Sequence, residues 1–143
     1  MQVLRPSALC LALVLGCSDL PTGVLTGLGA SLSFMGTARP DTIRPTIVAA
    51  GDSVVTSQLL STSACFSTRA DAGLDDVADL VVTVTAQERD VVCPAVVPAA
   101  SIARVVVHGV PAGQRMAILV LRFIRLSGSP SSSELTRAAI TLP

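Results

Sequence analysis

Beyond Pro40 the chain is a succession of short runs rich in Val, Ile and Thr, separated about every ten residues by Gly, Pro, Asp and Ser. Runs of β-branched residues punctuated by turn formers read as strands. Thr42 to Ala49 is the first, and Pro45 marks it as an edge because proline cannot donate to a ladder. Ser53 to Leu60 and Ala64 to Arg69 follow. Leu80 to Gln87 is the cleanest: Leu80, Val82, Val84 and Ala86 point one way, and Val81, Thr83, Thr85 and Gln87 the other. Ile102 to His108 and Gln114 to Arg125 flank Gly109-Val110-Pro111-Ala112-Gly113 and are predicted to pair as a hairpin. Ala117 to Leu121 is apolar on both faces, which suits the middle of a sandwich.

Ser127 to Ser133 reads as a flexible loop and Glu134 to Leu142 as the last strand, with a short helical turn over Glu134 to Ala139 as the alternative. Ala30 to Phe34 is an edge-strand candidate whose glycine neighbours weaken it. The expected fold class is therefore all-β, an antiparallel β-sandwich of about seven strands.

Half of the 143 residues are hydrophobic, yet the only aromatics are three Phe, so the core must be built from Val, Leu, Ile and Ala. All ten basic residues are Arg and ten acidic residues balance them. A chain without net charge has no long-range field to draw in phosphate backbones or anionic lipid, which argues against nucleic-acid partners. Three Phe supply few of the flat faces that sugars and single strands stack on, so carbohydrate binding is disfavoured too.

The N-terminus carries a different signal. Arg5 precedes an apolar run from Ala8 to Leu15 that is too short to anchor in a bilayer, followed by Val14-Leu15-Gly16-Cys17. This stretch resembles the lipobox of a bacterial lipoprotein, with an aliphatic residue three before the cysteine and a small one directly before it. The resemblance covers about the first 20 residues and implies that Cys17 is lipidated after removal of residues 1–16. Several acyl chains, at roughly 0.8 kcal/mol per buried methylene, would hold the protein on a membrane. Residues 17–40 are then expected as the lipidated cysteine and a tether, and 41–143 as the sandwich domain. Ser18, directly after Cys17, is not the aspartate that retains such proteins at an inner membrane, so the resemblance implies placement on the outer membrane, facing the periplasm.

Export would expose Cys65 and Cys93 to an oxidising compartment, where a disulfide is the expected state. The competing reading is a pair of buried thiols or half a metal site. A two-cysteine sandwich of this size also resembles an immunoglobulin-like domain in architecture, although it lacks the tryptophan and tyrosine corner of antibody domains.

Reactive constellations are scarce. His108 is the only histidine, no serine lies in a Gly-x-Ser-x-Gly elbow, and no glycine-rich phosphate loop links a strand to a helix. Four aspartates, Asp71, Asp75, Asp76 and Asp79, fall between two predicted strands and form a weak calcium candidate whose spacing departs from the EF-hand loop. Their other reading is a solvated, self-capping loop.

These features point to a membrane-anchored envelope protein, without catalytic residues or cofactor, serving as an interaction or structural module with a protein partner at a sheet edge. One alternative is a metal-dependent binder or enzyme using the aspartate loop with His108. Another is an inhibitor or accessory subunit of a periplasmic enzyme.

Overall fold

A computed structural model describes residues 27–39, 43–62, 65–93 and 99–143. The chain forms eight strands: β1 (Gly29–Thr37), β2 (Thr46–Ala50), β3 (Ser53–Thr62), β4 (Phe66–Leu74), β5 (Leu80–Glu88), β6 (Ala99–His108), β7 (Gly113–Ile124) and β8 (Ser131–Leu142). They make two four-stranded sheets, ordered β1-β6-β3-β2 and β4-β5-β7-β8. This is the expected all-β sandwich, in which every neighbouring pair is antiparallel except β5 with β7, which run parallel.

Period-two patterning decides which residues meet between the sheets. Leu80, Val82, Val84 and Ala86 of β5 face inward as predicted, none more than 2% exposed. Leu80, Val82 and Val84 pack with Ala117 and Leu119 of β7, and with Val54, Ala103, Val105 and Val107 of the other sheet. Without large aromatics, this core is filled by branched aliphatic side chains.

The edges fall where sequence placed them. β2, directly after Pro45, is an outer strand of its sheet, and so is β1. β1 also brings the start of the sandwich ahead of the expected boundary at residue 41. Its glycine-flanked sequence is held because Ala30 and Leu32 pack against the core while Ser31 and Ser33 donate to the carbonyls of Val106 and Arg104 on β6. β8 is a strand throughout, not a helical turn. A bulge at Leu135 turns Glu134 and Arg137 to the same face, so residues three apart form a two-point pair: Arg137 Nε to Glu134 Oε1 at 2.7 Å and Nη2 to Oε2 at 2.6 Å. The hydrogen bonds from Arg137 lower the Glu134 pKa.

The predicted hairpin between β6 and β7 does not form: the two strands belong to different sheets. The turn chemistry is as read, with Gly109 and Gly113 at positive φ. The loop spans the gap of about 10 Å between the sheets instead of folding one strand back on the other. Both strands carry inward-facing apolar residues on opposite sides of the core, and Val110 in the loop, 8% exposed, plugs its end. Arg115 fastens this crossing by donating to the carbonyls of Pro111, Ala112 and Ala78.

Two inward positions of β3 break the apolar pattern. Gln58 on β3 is 1% exposed, and neither its amide nitrogen nor its oxygen has a hydrogen-bond partner; the Thr56 hydroxyl beside it is in the same state. An unmade bond at a buried polar group costs roughly 1–3 kcal/mol. Gln58→Met keeps the length and removes the amide, and is expected to raise the free energy of unfolding by about 1–3 kcal/mol in urea titrations. A loss of stability would mean that the amide is satisfied by buried water.

Candidate functional site

The cysteine expectation is met: Cys65 and Cys93 are joined as a disulfide, Cα atoms 5.5 Å apart. Cys65 directly precedes β4 and Cys93 follows β5, whose facing ends pair at Phe66 and Glu88. The bond therefore clamps the open end of one hairpin within one sheet. An immunoglobulin-like arrangement would instead place it between the sheets. Cys17 lies outside the described residues, as does the expected tether as far as residue 26.

The aspartate cluster is not drawn together. Asp71 belongs to strand β4, where it is paired with Arg69 at 3.3 Å. Asp75 occupies the β4–β5 turn, and its Oδ1 accepts from the backbone N–H groups of Val77 (3.1 Å) and Asp79 (2.8 Å). That carboxylate is spent on holding the turn, and Asp76 is exposed beside it. Among the described residues no group of three or more His, Cys, Asp and Glu is placed to hold a metal ion. The calcium candidate is thus corrected to a self-capped turn, because β4 runs further than predicted and carries Asp71 away from the turn.

His108 likewise meets different residues from those supposed. At the exposed end of β6, its Nδ1 lies 2.9 Å from Ser53 Oγ, which is itself 3.0 Å from Asp52 Oδ1. The serine proton can serve only one of these neighbours; when it goes to Asp52, His108 donates from Nδ1 to Ser53. In a nucleophilic triad the carboxylate orients the histidine, whereas here Asp52 bonds the serine. The chain of contacts ties the β2–β3 turn to the end of β6. Sequence reading missed it because Ser53 and His108 are 55 positions apart.

A pocket of about 610 Å3 lies beside edge strand β4. On one side the segment at Gly27 and Leu28 comes across from β1, where Leu28 bridges to Ala72. On the other side is the outer face of the second sheet. Register sets that wall: Arg69 of β4, Thr85 of β5 and Arg122 of β7 are consecutive partners across three strands, and Asp71 and Thr83 form the next row. No spacing along the chain announces this row, since its members come from three separate runs.

Comparison with family models, with curated proteins and with solved structures finds no match to this chain.

Proposed function

We propose that this chain is a lipid-anchored protein of the bacterial cell envelope whose β-sandwich is a non-catalytic interaction module. The observation that carries the reading is the Cys65–Cys93 disulfide, which suits an oxidising compartment and agrees with the export-type leader ahead of Cys17. The module has a natural place for a protein partner along β2. Among the described residues this outer strand is laddered only to β3, so its far side offers backbone donors and acceptors to an added strand. Val48, 56% exposed at its centre, gives such a partner an apolar contact.

The anchor is tested by expressing the full chain in bacteria fed a radiolabelled fatty acid. The native chain is expected in the membrane fraction carrying label, and Cys17→Ala in the soluble fraction without it. Label that persists in Cys17→Ala would overturn the reading.

A further inference from the structure

The pocket beside β4 stands apart from the β2 edge, and it has a chemistry of its own. Arg69 and Arg122 are two strands apart on one row, which separates their Cα atoms by about 10 Å with Thr85 between them. Two long guanidinium side chains rooted at that distance can close on one group lying over the threonine. Thr85 is only 2% exposed, so it forms a fixed floor. Asp71 pairs with Nε of Arg69, leaving the terminal nitrogens of that guanidinium to point onward. Among the described residues no carboxylate pairs with Arg122, whose neighbour on β8 is Ser132. Two arginines against one aspartate give these lining residues a net positive charge. Guanidinium groups fit the planar or tetrahedral oxygens of carboxylates and phosphates with paired N–H donors.

The apolar part of the lining comes from the segment that crosses beside β4, at Leu28 and Ala30. A volume of this size also exceeds what a bare ion fills and falls in the range of small-molecule sites. We infer that the pocket binds a small amphiphilic oxyanion, its carboxylate or phosphate head held by Arg122 and Arg69 over Thr85 and its short apolar body lying against Leu28. The head group could belong to a free small molecule or to a lipid, and the apolar requirement distinguishes them. This inference does not depend on the anchor.

Calorimetric titration of the full chain in non-ionic detergent tests it, with butyl phosphate as probe and inorganic phosphate and butyltrimethylammonium beside it. Butyl phosphate is expected to saturate a single site that the cation does not occupy. Arg122→Gln should weaken it by roughly tenfold or more, because a bond to a charged partner is lost. Arg122 is exposed, so this variant should melt like the native chain. Thr85→Val should weaken binding less, and Arg137→Gln, on the same sheet outside the pocket, should leave it unchanged. Inorganic phosphate is expected to bind much more weakly than butyl phosphate, which assigns the apolar body its part; phosphate binding as tightly would overturn the amphiphilic ligand in favour of a hydrophilic free anion. Failure of butyl phosphate to bind, equal binding of the cation, or unchanged affinity in Arg122→Gln would overturn it.

Discussion

Leu119→Ala is expected to remove about 3–5 kcal/mol from the free energy of unfolding. Leu119 is fully buried on β7, an interior strand, between Val82 of β5 and Thr136 of β8. Truncation loses the transfer energy of the deleted carbons and leaves a void that neighbours must fill. Those neighbours are Val, Ala and Leu on two rigid sheets, with no large aromatic ring in the core cluster to tilt into the space. Collapse should therefore be poor and the cost near the upper part of the range. Urea unfolding followed by circular dichroism measures it. A loss below about 1.5 kcal/mol would mean that the sheets close over the void and the core packs less tightly than its burial suggests.

That strand shows what sequence alone carries. Ala117 to Leu121 is apolar on both faces, and a strand with a neighbour on each side in its sheet hides much of its outer face as well, so its central place was legible. The alternation of β5 was legible for the same reason, because a one-residue slip would turn Leu80, Val82 and Val84 out of the core. Partner choice was not. Gly109 to Gly113 is good turn chemistry whether the chain folds back or crosses between sheets, and only the packing of Val107, Val110 and Leu119 decides for the crossing. The parallel pairing of β5 with β7 was equally hidden, since residues between them build a strand of the other sheet. The pocket row of Arg69, Thr85 and Arg122 depends on that pairing. In sequence it is two isolated arginines and a threonine within runs whose visible feature is their apolar content.

Loss of the disulfide should have an effect of similar size. The cysteines are 28 positions apart, and on the chain-entropy argument a loop of that length restrains the unfolded chain by roughly 3–4 kcal/mol. The site sharpens the expectation. The bond closes the end of the β4–β5 hairpin, where Arg89 N–H donates to the Cys65 carbonyl and Glu88 Oε2 accepts from the backbone of Leu126. Those contacts tie the end of β5 to its neighbours, and without the crosslink this corner should fray before the rest. Cys65→Ser with Cys93→Ser is therefore expected to lower stability by about 3 kcal/mol and to raise amide exchange most at residues 66–68 and 86–89, leaving the Val105 and Leu119 amides protected until global unfolding. Uniformly faster exchange would show that the bond acts only through the unfolded chain. Unchanged stability would show that the hairpin end is held by its backbone bonds alone.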